Sequence, residues 1–442
     1  MAVDSKSEND VIVVGSGPGG ATVAMEMARR GKKVLILEWG PGGPVRGTAA
    51  QYFSQAMMPG RSLLLTPELL GMVRGITTGG SSLFYCGTAY PAPLEMLRKH
   101  GVDVADEVQE TRAELPIAPL KAEMVTPMTA RLMAGARLVG LDWQLLDKFM
   151  YQDRWRPDYP AFGWYGDPSR MKWSARMYVE EAVVHGAMLL NGARVTRVLG
   201  DAQSATGVEF KRNGRTHNAF AGRIVISAGG IGSPVILRQS GIREAGYDYF
   251  VDPLITVCGT LKDVRLRDNE IPMSTGVHMR DEGYMMTDLA IPPAMHVAFT
   301  AQVMHLNRLL SFRHTARIMV KIKDDLGGRL TDTGGVRKSL TAADRSKLKA
   351  GFEAASRVLR AAGATDIYKT GVLAAHPGGT AKIGEVVDSN LKTRIGNLYV
   401  CDCSVIPEAW GLPPTFTLVA LGKRLARHLA AGQRSVAHPA AA

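Results

Sequence analysis

The stretch DVIVVGSGPGG at residues 10–20 predicts a buried strand that runs into a glycine-rich turn. Its residues 11–14 are all apolar and β-branched, as in strands covered on both faces of a parallel sheet. A helical segment at 21–30 follows, and a second apolar strand at 34–37 ends at Glu38. Together they predict a βαβ unit of about 30 residues, the smallest dinucleotide-binding half of a doubly wound α/β fold.

The glycines of this turn, at positions 15, 17 and 20, satisfy the G-x-G-x-x-G pattern. The first permits a tight turn, the second lets the backbone approach a pyrophosphate, and the third lets helix and strand pack closely. The N-terminus of the helix supplies N–H groups and a positive dipole end for the phosphates. Glu38 is placed to accept hydrogen bonds from a ribose diol. The pattern therefore predicts a nucleotide cofactor and leaves FAD and NAD both open.

The composition narrows the class of protein. A chain of 442 residues predicts two or three packed regions, and 46% hydrophobic with 21% charged residues excludes disordered and fibrous classes. Four scattered cysteines argue against a disulfide scaffold and favour a reduced, intracellular protein. The pair Cys401 and Cys403 has no His or Cys partner at metal-site spacing, so no metal is predicted.

The net charge of +12 favours contact with an anionic partner, such as a membrane surface or an acidic protein. We expect no nucleic-acid partner, because the basic residues are spread along the chain and form no recognised motif. The polar first ten residues do not have the pattern of a signal peptide, and no window of ~20 residues is free of charge. We therefore expect a cytoplasmic protein, with peripheral membrane contact as an open alternative.

The remaining chain predicts further elements of both kinds. Helices are expected at 67–73 within a loop-rich region, at 174–187, 342–362 and 415–429, and the pattern is helical across about 104–150. Strands are expected at 188–190, 194–199, 205–210, 223–227 and 397–401.

Five segments, taken together, resemble the glucose–methanol–choline (GMC) oxidoreductase family and occur in that family's order. They are GITTGGSSLFY (75–85), similar to its flavin loop, KWSAR (172–176), GGIGSPVILRQSGI (229–242), HPGGTAKIG (376–384), and the strand and turn at 397–407. The chain is identified as a short and divergent member. This resemblance decides between the two cofactors and implies FAD.

The resemblance implies an FAD-binding, Rossmann-like (doubly wound) α/β domain built from discontinuous segments, with a smaller α+β substrate domain. The expected boundaries are a first FAD-binding segment at 1–100, a helical cap insertion at 101–165, a second FAD-binding segment at 166–245, the substrate domain at 246–370, a third FAD-binding segment with the active-site histidine at 371–432, and a flexible tail at 433–442.

The pattern and the resemblance together assign cofactor contacts along most of the chain. The residues expected to contact FAD are Gly15, Ser16, Gly17, Pro18, Gly19, Gly20, Glu38, Gly79, Gly80, Ser82, Tyr85, Cys86, Val195, Ala228, Asp402, Cys403, Pro414 and Thr415.

The candidate base is His376. Removing hydride from an alcohol carbon requires loss of the hydroxyl proton, and an imidazole is the natural acceptor near neutral pH. By resemblance, flavin N5 takes the hydride. The family places a second His or Asn before a proline in the final loop, where this chain has Pro413, so only a single-histidine site is expected. Tyr85 and Cys86 likewise replace an Asn and a Gly of the family's flavin loop.

The substrate is expected to be an apolar alcohol, long-chain, aromatic or sterol-like. The segment 290–323 is rich in Met, Leu, Val and Phe, which suit an oily pocket or a membrane-surface approach, although a core that covers the flavin explains them equally well. The strand 318–324 resembles one in the family's long-chain and sterol alcohol enzymes. The electron acceptor stays open among oxygen, a quinone and a redox protein.

Two other functions remain open on the sequence. An FAD enzyme with non-alcohol chemistry, a desaturase, isomerase or lyase, would explain the departures at Tyr85 and Pro413. A non-catalytic flavoprotein that binds a partner is the other, and the intact His376 argues against it.

Overall fold

The structure is a computed structural model that describes residues 9–156, 164–267 and 269–431. Within these ranges the α-helices are α1 (Pro18–Arg29), α2 (Ala49–Ala56), α3 (Leu94–Lys99), α4 (Ala105–Glu114), α5 (Pro127–Leu138), α6 (Ala175–Val184), α7 (Gly229–Gln239), α8 (Pro293–Gln302), α9 (Ala342–Ala361) and α10 (Thr415–Ala431). No helix among the described residues is long and apolar enough to cross a membrane.

The strands of the same ranges are mostly short. They are β1 (Asn9–Val14), β2 (Val34–Glu38), β3 (Leu63–Leu65), β4 (Gly71–Val73), β5 (Ile117–Pro119), β6 (Gln144–Leu145), β7 (Asp147–Phe149), β8 (Met188–Asn191), β9 (Arg194–Gly200), β10 (Ala205–Arg212), β11 (Arg215–Ile226), β12 (Tyr247–Tyr249), β13 (Pro253–Thr260), β14 (Thr275–Met279), β15 (Tyr284–Asp288), β16 (Thr315–Ile322), β17 (Gly327–Leu330), β18 (Val336–Arg337), β19 (Thr365–Lys369), β20 (Leu373–Ala374) and β21 (Leu398–Val400).

A parallel sheet in the order β8–β2–β1–β11–β21 forms the first half of the molecule. The β-branched residues predicted for β1 are buried, and Val13 lies between Ile36 and Val225. The N-terminal half of β11 continues into an antiparallel meander with β10 and β9. The sheet therefore combines strands from three widely separated regions of the chain, as the resemblance implied.

Helix α1 packs between α6 and α10 beside this sheet. The crossing of α1 and α10 is close, because a Cβ added at Gly422 would lie 2.7 Å from the Cβ of Thr22. The chain's first and last described helices therefore pack against each other next to the glycine turn.

A second, largely antiparallel sheet in the order β3–β4–β20–β13–β16–β15–β14–β6 forms the other half, with β19 also paired to β13. The side chains alternate along β16: Ile318, Val320 and Ile322 join the apolar core that includes residues of α5 and α9. Helix α9 begins with a capping box, in which Thr341 and Asp344 satisfy each other's backbone N–H groups. The opposite face of β16 carries Met319 and Lys321 toward the first half.

Two predictions about this architecture are corrected. The helix expected at 67–73 is wrong, because Gly71–Val73 forms strand β4, which pairs with β3 and with the distant β20. The region 104–150 contains α4 and α5 as expected but also the strands β5, β6 and β7. The tail predicted at 433–442 lies outside the described residues.

Candidate active site

The glycine turn has the shape that a bound pyrophosphate needs. Gly15 has φ +95°, and a Cβ there would lie 2.2 Å from the carbonyl oxygen of Ser227. A Cβ at Gly19 would lie 2.1 Å from the carbonyl oxygen of Cys401, whereas a Cβ at Gly17 would meet no atom within 4 Å. Gly17, which caps α1 ahead of Pro18, therefore faces space that the protein leaves open. The residues present fit the phosphates of FAD.

Glu38 is buried at the end of β2 and linked to the glycine turn. Its Oε2 accepts hydrogen bonds from the backbone N–H of Ser16 (3.0 Å) and from Ser16 Oγ (2.6 Å), and its Oε1 accepts one from Gly40 N–H (2.6 Å). Burial raises the pKa of the carboxyl, and the Ser16 hydroxyl opposes that rise. A carboxylate has about four acceptor positions, so one remains for a ribose hydroxyl.

Trp39, directly after Glu38, is surrounded by arginines. The guanidinium carbons of Arg194, Arg61 and Arg74 lie 4.7, 5.1 and 5.6 Å from its ring centroid. Burial, together with the charges of Arg194 and Arg61, lowers the pKa of Arg74 to about 10. Sequence reasoning missed this cluster because its arginines are spread over more than 130 positions. It places positive charge next to the predicted adenosine end of the cofactor.

The predicted flavin loop lies against the glycine turn. A Cβ at Gly80 would approach the Cα of Gly17 to 3.1 Å, and Gly79 N–H donates to Ser16 Oγ (3.0 Å). Ser82 Oγ donates to the carbonyl of Gly79 (2.6 Å) and accepts from the N–H of Ala175 (2.9 Å). Ser82 thus connects the loop to the start of α6 by hydrogen bonds, and its contact to FAD stays a prediction.

Tyr85 and Cys86, at the end of this loop, are placed in different surroundings. Tyr85 donates its hydroxyl to the carbonyl of Trp173 (2.9 Å) and packs in the core of the first half. Cys86 Sγ lies 3.9 Å from the hydroxyl of Tyr165, and burial raises the pKa of its thiol. The thiol is therefore neutral near pH 7, and a neutral thiol is poorly suited to form a covalent bond with the flavin.

Two buried ammonium groups support the loop. Lys148 Nζ donates to the carbonyls of Cys86 and Pro272 (2.7 Å each) and to Thr88 Oγ1 (2.8 Å). Lys172 Nζ donates to the carbonyls of Leu83, Tyr85 and Trp164 at 2.6–3.1 Å. Burial lowers the pKa values of both amines, to about 7 for Lys148 and about 8 for Lys172. Sequence reasoning identified neither lysine as a support of this loop.

Asp402, which follows the last strand β21, connects it to the helix α7 by hydrogen bonds. Its Oδ2 accepts from the N–H of Gly229 (2.9 Å) and from the hydroxyl of Ser233, and its Oδ1 accepts from Ser404 N–H (2.8 Å). Burial raises the pKa of the carboxyl, and the hydroxyl of Ser233 opposes this. Ala228 caps α7, and its N–H donates to Ser233 Oγ (2.9 Å).

The other predicted cofactor residues lie in the same half of the molecule. Val195 is buried on β9, and Pro414 and Thr415 are buried at the start of α10. Cys403 Sγ lies 4.0 Å from the carbonyl of His376, so the turn after β21 contacts the histidine block. Val195 lies near the end of β2, since the N–H of Ala193 donates to the carbonyl of Glu38 (2.9 Å). The contacts of these four residues to FAD remain predictions.

His376 is held by two residues that sequence reasoning did not find. Its Nδ1 lies 3.0 Å from Asp252 Oδ2 and 3.2 Å from Lys321 Nζ, and Lys321 Nζ lies 3.3 Å from the same Asp252 oxygen. Asp252 and Lys321 are each 1% exposed, whereas the histidine side chain is 24% exposed. An Nδ1–H that donates to Asp252 leaves Nε2 as the acceptor on the ring. In that tautomer Nε2 is available to accept a proton.

Asp252 is itself fixed by a second ion pair. It has φ +49°, and its N–H donates to Asp324 Oδ1 (3.0 Å), which also accepts from Val251 N–H (3.1 Å). Asp324 pairs with Lys338 Nζ at 2.9 Å. Buried partners therefore hold both the strained backbone of Asp252, through Asp324, and its side chain, through Lys321.

The electrostatics keep the imidazole neutral. Burial lowers the pKa of His376, the Lys321 ammonium lowers it further, and Asp252 partly opposes both. A neutral imidazole near pH 7 is the form that can accept a proton.

An apolar cluster lies next to Lys321, which contacts His376, because Met285 is the cross-strand neighbour of Lys321. Met273, Met285 and Met319 form one cluster with Tyr90 and with Leu412, the residue before Pro413. Methionine and aromatic side chains adapt to irregular apolar ligands. A proline ring at 413 can neither donate nor accept a proton, so His376 has no second histidine or asparagine at that position.

Comparison with known proteins identifies the family. Two family models, both described as GMC oxidoreductase, match residues 4–253 and residues 292–422. The chain belongs to the GMC oxidoreductase family. The resemblance and the α/β fold class expected from the sequence are therefore confirmed.

Relatives of this GMC oxidoreductase span nearly its whole length. An uncharacterised protein of Methanocaldococcus jannaschii is 28% identical over 95% of this chain and 99% of its own. A long-chain-alcohol oxidase of Arabidopsis thaliana is 22% identical over 96% of this chain and 68% of its own.

Solved structures agree with the fold. Pyridoxine 4-oxidase from Mesorbium loti has a TM-score of 0.74 at 16% identity, with 95% of this chain and 99% of that one covered. A formate oxidase variant from Aspergillus oryzae, studied for its FAD modification, has a TM-score of 0.78 at 16% identity, with 98% and 100% covered. The chain is an FAD-dependent oxidoreductase, which confirms the predicted cofactor.

Proposed function

We propose that this GMC oxidoreductase dehydrogenates an apolar primary or secondary alcohol to the carbonyl, with His376 as the only base. The observation that carries the proposal is the 3.0 Å contact between His376 Nδ1 and the buried Asp252. An ionised carboxylate only accepts hydrogen bonds, so the contact favours the tautomer with the hydrogen on Nδ1, in which Nε2 accepts a proton. Bound FAD would supply the hydride acceptor that the side chains lack.

The residues around the histidine have separate tasks. His376 Nε2 takes the hydroxyl proton, and the charge that develops on the ring is stabilised by the carboxylate of Asp252. Lys321 compensates some of the negative charge of Asp252 and so keeps the imidazole neutral before the proton arrives. The methionine cluster excludes water and binds the hydrocarbon portion of the alcohol.

The choice of an apolar alcohol has two supports. The cluster beside Lys321, which contacts His376, contains large apolar side chains, including Met273, Met285 and Met319. One relative along nearly the whole chain is a long-chain-alcohol oxidase. A polar or charged substrate would have to be desolvated against methionine side chains, which is unfavourable.

The test is reduction of the bound flavin by alcohols without oxygen. Purified enzyme is mixed anaerobically with short, long-chain, aromatic and sterol alcohols, and the absorbance of oxidised flavin is followed. We expect bleaching by one apolar class, and a loss of about 100-fold or more in His376→Ala, since general base catalysis contributes about that factor. His185→Ala, at the exposed end of α6, is the matched control.

Two results would overturn the proposal. Flavin that stays oxidised with every alcohol would favour the non-alcohol chemistry left open by Pro413. An unchanged reduction rate in His376→Ala would show that another group takes the proton.

A further inference from the structure

Four large apolar side chains are exposed within 14 consecutive residues of the substrate half. They are Val297 (43% exposed), Met304 (75%), Leu306 (55%) and Leu310 (98%). A single exposed leucine is common on protein surfaces, but several large apolar side chains exposed in one short segment indicate a site of interaction. We call these four residues the 297–310 surface.

The opposite side of the same segment is anchored inside. Met295 is buried and Phe299 partly buried in a cluster with Tyr52 and Tyr165. The ring of His305 stacks on Tyr368, with centroids 4.4 Å apart. Because its inner side is packed, the segment is held in place, and the 297–310 surface is directed outward by the fold.

The charged residues of the segment 289–323 are all basic, since the chain contains no acidic residue between Asp288 and Asp324. Of the segment's five cations, Arg317 and Lys321 are buried and Arg308 pairs with Asp366, whereas Arg313 and Lys323 are at least partly exposed. The carbonyl of Arg313 accepts a backbone hydrogen bond from Leu266 (2.7 Å), which places the loop 262–267 beside the segment. This loop exposes Lys262, Arg265 and Arg267, and its one acidic residue, Asp263, pairs with Arg131. Apolar side chains bordered by cations fit the interface of an anionic lipid bilayer.

The surface also leads toward the active site along one strand. On β16, Arg317, Met319 and Lys321 point to the same face, because side chains alternate along a strand. Arg317 contacts His296 on α8 (2.9 Å), Met319 joins the apolar cluster, and Lys321 contacts His376. One strand face therefore runs from the segment that carries the surface to the histidine, over about 13 Å for four residues.

We propose that the 297–310 surface docks this GMC oxidoreductase onto an anionic lipid bilayer, from which the apolar alcohol enters the site. The source of the substrate rests on the proposed function, whereas the docking itself does not. The surface inserts its leucines and methionine among the acyl chains, and the neighbouring cations contact the lipid headgroups.

The experiment is sedimentation of the purified FAD enzyme with vesicles. One set is phosphatidylcholine alone and the other contains phosphatidylglycerol in addition. We expect binding to the anionic vesicles, weaker binding at high salt, and a loss of about 30-fold or more in Leu306→Asp/Leu310→Asp, because both leucines would leave the lipid. Val184→Asp, at an 83% exposed position on α6, is the matched control and keeps wild-type binding.

Three results would refute the docking surface. One is a wild-type enzyme that does not sediment with anionic vesicles, and another is an equal loss of vesicle binding in Val184→Asp. The third is a wild-type dimer that Leu306→Asp/Leu310→Asp converts to a monomer, because the surface would then bind a second copy of the chain. Flavin reduction by alcohols is measured on the same samples. Vesicle binding without any reduction would refute the proposed alcohol chemistry while supporting the docking.

Discussion

Replacing Asp252 by asparagine tests how His376 is made into a base. Asparagine has nearly the same shape and tolerates the positive φ of +49° at this position, so the backbone can remain in place. The substitution removes the negative charge 3.0 Å from His376 Nδ1 and leaves the Lys321 ammonium beside the ring. Proton acceptance by Nε2 then creates an imidazolium without its carboxylate.

The expected loss follows from this hydrogen bond. A hydrogen bond to a charged group contributes ~1.5–3 kcal/mol, and each ~1.4 kcal/mol of barrier is a factor of ten in rate. The rate of flavin reduction by an alcohol should therefore fall about 10- to 150-fold. The pKa of His376 should also move further down, because Asp252 is the group that raises it.

The assay is anaerobic stopped-flow reduction across pH. In wild type the rate falls on acidification, as pH drops below the lowered pKa of His376 and the imidazole becomes protonated. In Asp252→Asn the maximal rate of flavin reduction is lower, and the fall of this rate on acidification occurs at lower pH. Asp324→Asn is the matched control, since Asp324 holds the same backbone without touching the histidine. An unchanged plateau in Asp252→Asn, or an equal fall in Asp324→Asn, would refute the positioning role.

Three further predictions concern the cofactor and its loop. Gly17→Ala should leave thermal unfolding unchanged and weaken FAD binding, measured by titration, at least about 10-fold. Gly19→Ala should instead lower the free energy of unfolding by about 1–3 kcal/mol, because its Cβ would clash with the Cys401 carbonyl. Equal effects of the two substitutions would contradict the pyrophosphate site. Cys86→Ser should keep the alcohol reduction rate within about twofold, because the thiol is neutral and buried, and a large loss would show a chemical role. Lys148→Met should destabilise the fold by about 2–4 kcal/mol in denaturant unfolding, since it leaves buried carbonyls without a donor; no change would mean that water replaces the ammonium.

The elements of the fold predicted correctly are those with local signals. The strand at 11–14, the glycine turn and Glu38 carry their pattern within a few dozen residues. The strand β4 carries no such pattern, and it pairs with β3 and with β20, about 300 residues later. Pairing of this kind overrides local propensity, which is why the local sequence at 67–73 predicts a helix that does not form.

The candidate site shows the same limit. His376 is recognisable because its block matches a family motif, but its partner Asp252 lies 124 residues away in a segment without any motif. Lys321 offers one usable signal, a charged residue on the buried strand β16, and such a residue requires a partner. The apolar residues of 290–323 could not be divided into buried and exposed sets, since the segment mixes a helix, turns and a strand.

The position of β21 and α10 has a consequence for synthesis of the enzyme. The parallel sheet receives its strand β21 from residues 398–400, and α10 then packs on α1, so the walls of the glycine turn come from opposite ends of the chain. On the ribosome the first βαβ unit emerges long before these partners exist. Flavin capture must therefore wait until β21 and α10 have been synthesised, and a product truncated before residue 398 would carry a nearly complete substrate half without a finished cofactor pocket.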